Sequence, residues 1–106
     1  MLELRPRCEH CAVALPPEST AARICSFECT FCADCAEGLL SNVCPNCGGG
    51  FVPRPVRPAR NWKGGNYLGD YPARTVPKLR PVDLEAHAAL VAALGGLPPE
   101  ERKVSA

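Results

Sequence analysis

"CSFECTFCADC", residues 25–35, places Cys25, Cys29, Cys32 and Cys35 within eleven positions. The other four of the chain's eight cysteines flank it as two pairs, Cys8 and Cys11 before it and Cys44 and Cys47 after it. No cysteine lies between Cys47 and Ala106. The order reads Cys8-x2-Cys11-x13-Cys25-x3-Cys29-x2-Cys32-x2-Cys35-x8-Cys44-x2-Cys47. A Cys-x-x-Cys turn aims two sulfurs at one point and supplies half of a tetrahedral metal site. Four such half-sites make two four-cysteine sites. Each thiol must lose its proton to serve, and a divalent cation stabilises that form.

Composition points the same way. The chain has 106 residues, with three Phe, two Tyr, one Trp and one Met among its large packing groups. A core built from so few needs disulfides or a metal to hold it. The first ten residues, "MLELRPRCEH", are charged and do not read as a secretory signal. The longest apolar run, "AHAALVAAL", is about half the roughly 18 residues that suggest a membrane span. A cytoplasmic setting is therefore expected, where thiols stay reduced and paired cysteines read as metal ligands before disulfides. Two zinc ions are the expected cofactors. Iron is the alternative, because all-sulfur geometry does not separate the two metals and "CPNCG" suits a rubredoxin-type knuckle.

Other chemistry for these thiols is less well supplied. A redox dithiol in "CEHC" or "CADC" calls for a thioredoxin-like βαβ unit, for which the chain has neither length nor pattern. A catalytic cysteine would have only His10 and His87 as candidate bases. The expected class is non-enzymatic.

Two pairings of half-sites are open. Sequential pairing joins 8/11 to 25/29 and 32/35 to 44/47. Cross-brace pairing puts Cys8, Cys11, Cys32 and Cys35 on one metal and Cys25, Cys29, Cys44 and Cys47 on the other. The crowding of Cys25 through Cys35 favours the cross-brace, since neighbouring pairs then alternate between metals across a short hairpin. "RICSFECTF" supplies its strands, and "CADCAEGLLSN" starts a short helix with Leu39 and Leu40 facing inward. Ile24, Phe27, Phe31, Leu39 and Val43 are the expected apolar core.

These residues resemble a RING finger. Phe31 precedes the fifth ligand and Pro45 lies inside the last pair, as in that family, while Cys29 stands where the family usually has histidine. The resemblance implies a treble-clef-like metal framework. RING-type ubiquitin ligase activity is disfavoured, because the partner-recognition positions hold Glu9, His10 and Gly48, and "AEGLLSNV" offers no aromatic. Residues 1–58, "MLELRPRC" through "PRPVRP", also resemble a family of short bacterial proteins, the domain of unknown function 1272. That resemblance implies a bacterial, intracellular setting and brings no activity with it.

The second half has a different texture. Pro53, Pro55 and Pro58 favour a polyproline-like extension, which has three residues per turn and would set Arg54, Arg57 and Arg60 along one edge. Residues 51–82 read as an irregular basic arm with turns at Gly64–Gly65 and Gly69–Asp70. Residues 51–80 carry seven basic and one acidic side chain, net +6, against net −3 for residues 1–50 and −2 for residues 81–106. Two divalent ions on eight thiolates take the first part to about −7.

Two readings of the arm follow. Its arginines fold back on the anionic module, or they bind single-stranded nucleic acid together with the interleaved aromatics. Arg54, Arg57, Arg60, Trp62 and Lys63 are the candidate contacts, with Arg74, Lys78 and Arg80 further on. "PVDLEAHAALVAALGG" predicts a helix over 83–97, capped by Asp83 and ended by Gly95–Gly96. It is expected to dock on its own domain or on a second copy, with His87 at a surface or interface. Residues 98–106 read as a flexible tail.

The chain is thus expected to be a small zinc-stabilised α+β protein with a 1–50 metal domain. Its expected role is that of a protein-interaction module or adaptor of unknown partner. A nucleic-acid-binding role through the arm is the alternative; neither a membrane nor a small-molecule substrate is indicated.

Overall fold

Three short antiparallel strands carry the cysteine-rich half. In the computed structural model, which describes residues 1–102, they are β1 (Ala22–Ile24), β2 (Thr30–Cys32) and β3 (Val52–Pro53). The sheet order is β2-β1-β3. Ala22 faces Cys32 and Ile24 faces Thr30 across the first pair, and Ile24 faces Val52 across the second. The hairpin closes tightly. Cys25 N–H donates to Cys29 O at 3.2 Å and Glu28 N–H to Cys25 O at 3.0 Å. Glu28 takes a left-handed conformation, φ 65°, to make that turn. Pro53 is tolerated because β3 is an edge strand and its missing N–H faces away from the ladder. Arg54 N–H then resumes pairing by donating to Ala22 O at 3.0 Å.

A single wide turn of helix, Asp34–Leu39, follows β2. Its π character is visible in Leu40 N–H, which donates five residues back to Cys35 O at 2.8 Å. The extra residue rotates the exit of this turn. Leu40 becomes fully buried, while Leu39 is 55% exposed. The expectation that both leucines face inward is therefore corrected. Phe27 is corrected too: at the tip of the hairpin it is 71% exposed, because the short turn leaves no layer above it. Ile24, Phe31 and Val43 are buried as expected. Leu4 and Leu15, from outside the hairpin, take the missing volume. Phe31 packs edge-on against Phe51, ring centroids 5.4 Å apart. Cysteines make up more than half of the central buried cluster, so the interior is organised around sulfur rather than hydrocarbon.

The arm runs over this body with turns at Gly64–Gly65 and Leu68–Asp70. Gly64 and Gly65 sit at φ 63° and 78°, where a Cβ would be strained. The chain returns to the N-terminal segment, Arg74 N–H donating to Leu4 O and Arg80 N–H to Glu9 O. Helix α1 spans Leu84–Leu94. Asp83 caps it by accepting from Glu85 and Ala86 N–H groups, and Gly95, φ 59°, ends it. Residues 98–102 are more ordered than a flexible tail. Pro99–Glu101 form a 3₁₀ turn, and the Arg102 guanidinium donates to Asn42 O and Gly48 O, both at 3.1 Å. The rest of the expected tail lies outside the described residues. The radius of gyration, 15.0 Å, exceeds the roughly 13 Å expected of a spherical domain this size, in keeping with an arm laid along the body.

Candidate metal centres

Each terminal Cys-x-x-Cys segment forms the same knuckle. Cys8 N–H donates to Val13 O and Ala12 N–H to Cys8 O; Cys44 N–H donates to Gly49 O and Gly48 N–H to Cys44 O. The residue after each second cysteine is left-handed, Ala12 at φ 66° and Gly48 at φ 76°. That conformation turns backbone N–H groups toward the sulfurs. Cys11 N–H points at Cys8 Sγ, Asn46 N–H at Cys44 Sγ and Gly49 N–H at Cys47 Sγ, at 3.4–3.5 Å. N–H groups aimed at sulfur favour thiolate over thiol.

The hairpin and the π-turn bring the remaining cysteines to these knuckles. Cys32 ends β2 and Cys35 lies in the π-turn. The sulfurs of Cys8, Cys11, Cys32 and Cys35 all lie within 4.8 Å of one another. Cys11 Sγ and Cys32 Sγ are 3.7 Å apart. Four sulfurs at about 2.3 Å from a central ion define a tetrahedron with edges of about 3.8 Å, so the set fits a thiolate-bound metal. The sulfurs of Cys25, Cys44 and Cys47 form a second group on the same criterion. Two groups of cysteines, of four and three, are therefore positioned to bind metal ions. The first group joins the first and third cysteine pairs, and the second joins Cys25 to the last pair, which is the interleaved order.

Cys29 is set apart. It is buried, but its sulfur is not within 4.8 Å of all three members of the second group. Asn46, inside the second knuckle, donates its Nδ2–H to Cys29 Sγ at 3.4 Å.

The electrostatics call for a cation. Burial pushes the Cys35 thiol above its ordinary range, and the neighbouring Cys32 and Cys8 add to the effect. Burial does the same to Cys44, with the charges of Cys29 and Cys25 adding and N–H groups of Asn46 and Cys47 opposing. Cys32 is also raised, chiefly by burial. Cys8 is lowered, because N–H donors from Cys11, Cys32 and His10 outweigh its burial. A buried cluster of this kind is fully deprotonated only against positive charge.

Around the first group the structure places a buried carboxylate that sequence reading did not single out as structural. Glu9 is fully buried inside the first knuckle. Its Oε2 accepts from Arg5 at 2.7 Å and from Thr30 N–H at 2.6 Å, while Oε1 lies 3.5 Å from the Arg80 guanidinium. Glu9 holds the Arg5 guanidinium above its ordinary value against the opposing effect of burial. Next to it, His10 Nδ1 accepts from Val82 N–H at 2.9 Å, fastening the end of the arm to the knuckle. A signal existed in the sequence: an acidic residue between two ligands, with arginine four residues before it.

The arm residues separate into two sets. Arg54 is 3% exposed and donates to the carbonyls of Arg5, Leu15 and Pro16. It is a packing residue, and its place on a contact edge with Arg57 and Arg60 is corrected: pairing with β1 turns it inward. Arg57 donates to Leu2 O and Tyr71 O. Arg74 reaches Glu3 and Arg80 reaches Glu9. Arg60, Trp62, Lys63 and Lys78 are exposed, with the Arg60 guanidinium 5.6 Å from the Trp62 ring centre. His87 is buried rather than at the surface, and its Nε2–H donates to Val43 O at 2.8 Å, docking α1 beside the second knuckle.

With this geometry in view, comparison with known proteins places the chain. It belongs to the family described as proteins of unknown function, DUF1272, whose model matches residues 1–57. An uncharacterized protein of Rhizobium meliloti (strain 1021) is 57% identical over 81 residues, covering 76% of this chain and 89% of that protein. No solved structure matches the chain. Among the described residues no helix is long and apolar enough to cross a membrane.

Proposed function

We propose that this is a zinc protein in which two ions staple a cross-braced, treble-clef-like unit of RING type. Cys8, Cys11, Cys32 and Cys35 hold one ion; Cys25, Cys44 and Cys47 hold the other, with Cys29 as its fourth ligand. The observation that carries this reading is the mutual approach of the four sulfurs of the first group within 4.8 Å. The role proposed for the stapled unit is that of a non-enzymatic protein-interaction module in the bacterial cytoplasm. Its support is the apolar surface left beside the metal centres: Phe27 and Leu39 are exposed, and Val13 rims a cavity of about 450 Å³ next to Cys11 and Cys32.

Elemental analysis of purified protein tests the first part. Two zinc ions per chain are expected; one ion, or iron in place of zinc, contradicts it. Capture from native cells tests the second. A partner is expected that is lost when Phe27 and Leu39 are replaced by serine while metal content is unchanged; capture unaffected by both substitutions contradicts the assigned surface.

A second reading, single-stranded nucleic-acid binding, is favoured by one observation. Trp62 is 72% exposed with Arg60 over its ring and Lys63 beside it in sequence. Two phosphate contacts would give a slope of log affinity against log salt of about −1.4. Trp62→Ala would then weaken binding by about 1–3 kcal/mol.

A further inference from the structure

We propose that the cavity beside the first metal centre docks a basic segment of a partner protein. An arginine of that segment sets its cationic head between Asp34 and the Cys11 sulfur, and an aliphatic neighbour seats against Val13 and Leu15. This rests on the zinc and interaction readings above and adds the partner's chemistry.

The cavity measures about 450 Å³. Leu15 and Ala21 are buried and give it apolar walls, and Val13, 47% exposed, stands at its edge. Cys11, Cys32 and Cys35 line it too, so three of the four sulfurs of the first group border one space. Cys11 is the exposed member of those three. Asp34, at the start of the π-turn, is the one charged side chain among the described lining residues, and it is exposed.

The charge of this space is one-sided. Four thiolates on a divalent ion carry a formal net charge of about −2. Asp34 adds to it and has no ion pair among the described residues, whereas Glu37 of the same turn is paired with Arg23. The two arginines nearby are engaged elsewhere. Arg7, bridged through its backbone to Ala14, donates to Ala12 O, and the buried Arg54 donates to Leu15 O and Pro16 O. Apolar walls around charge of one sign strengthen its field. The complement is a cation on an apolar stem, and phosphate-bearing ligands meet charge of their own sign. Arginine fits better than lysine. Its guanidinium is less strongly hydrated, and its several N–H groups can serve a carboxylate and a sulfur together.

Selection from a displayed library of random short peptides on the immobilised, zinc-loaded full chain tests this. An enriched peptide, made synthetically with a fluorescent label, is then titrated by anisotropy. Arginine beside an aliphatic residue should be enriched. Affinity should fall at least about tenfold with Asp34→Lys and about tenfold with Val13→Ser, each variant keeping the wild-type zinc content. Replacing the peptide's arginine by glutamate should restore binding to the Asp34→Lys chain. No enrichment, enriched peptides without a basic residue, or affinity indifferent to either substitution would overturn the proposal. So would a dimer in sedimentation that Asp34→Lys disperses, because the occupant would then be the basic arm of a second copy. Partner capture from native cells separates this proposal from the interaction reading beneath it. Capture that needs Phe27 and Leu39 but survives Asp34→Lys would overturn the proposal and leave that reading standing. Capture that needs none of the three would contradict the reading itself.

Discussion

The Arg80 guanidinium lies 3.5 Å from the fully buried carboxylate of Glu9, so the far end of the arm ends on the first metal knuckle. The backbone repeats the link, Arg80 N–H donating to Glu9 O at 2.8 Å. With Arg5 and Thr30 on its other oxygen, Glu9 ties the N-terminus, the knuckle, β2 and the arm at one point.

Glu9→Ala should be severely destabilising. It leaves buried Arg5 with Glu3 alone, 3.3 Å away, and Thr30 N–H without its acceptor, and removing one side of a buried pair costs about 3–5 kcal/mol. Arg80→Ala should cost about 1 kcal/mol or less, because that side chain is half exposed. Urea unfolding of the metal-loaded variants measures both. A mild Glu9→Ala would show that the carboxylate is not the hub described.

Arg54 supports the body through hydrogen bonds to three carbonyls. Burial lowers its pKa from the ordinary arginine value, so the charge is held at a cost that those carbonyls offset. Arg54→Lys keeps the charge but loses the planar fork, and should still lose about 1–3 kcal/mol. A urea midpoint unchanged by Arg54→Lys would show that charge alone suffices.

The matched knuckles predict opposite effects for a pair of substitutions. Ala12 has a left-handed backbone that costs an L-residue about 1–2 kcal/mol, offset in part by the entropy glycine would lose on folding. Ala12→Gly should therefore stabilise by about 1 kcal/mol or less. Gly48→Ala should destabilise by about 1–2 kcal/mol through backbone strain alone, since a Cβ there meets nothing within 4 Å. Thermal unfolding of the zinc-loaded proteins checks both signs.

Folding of the first half should require metal. Structural zinc in small finger peptides contributes about 10–16 kcal/mol, more than the stability of most domains. A strong chelator should abolish the cooperative transition followed by near-ultraviolet circular dichroism. A sharp transition surviving chelation would mean that Leu4, Leu15, Phe31 and Leu40 suffice as a core.

Spacing made the first cysteine group legible, because Cys-x-x-Cys constrains sulfur positions locally and the crowded hairpin leaves little freedom in how the pairs meet. The helix at 84–94 was legible from its caps, Asp83 and Gly95. What escaped was set by tertiary packing. Leu39 and Leu40 are adjacent and chemically identical, and only the extra residue of the π-turn decides which is buried. Arg54, Arg57 and Arg60 share a spacing, yet sheet pairing takes the first inside. Leu4 and Leu15 carry no periodic signal, so their part in the core appears only once the N-terminal segment folds against the hairpin. The contact of Asn46 Nδ2–H with the Cys29 sulfur is a side-chain arrangement that no spacing encodes.

The central claim is the interleaved pairing of cysteines around two ions, and anomalous diffraction at the zinc edge from crystals of the metal-loaded protein tests it most directly. Two peaks are predicted, one surrounded by Cys8, Cys11, Cys32 and Cys35 and the other by Cys25, Cys29, Cys44 and Cys47. A peak surrounded by Cys32, Cys35, Cys44 and Cys47, or a single peak per chain, would contradict it.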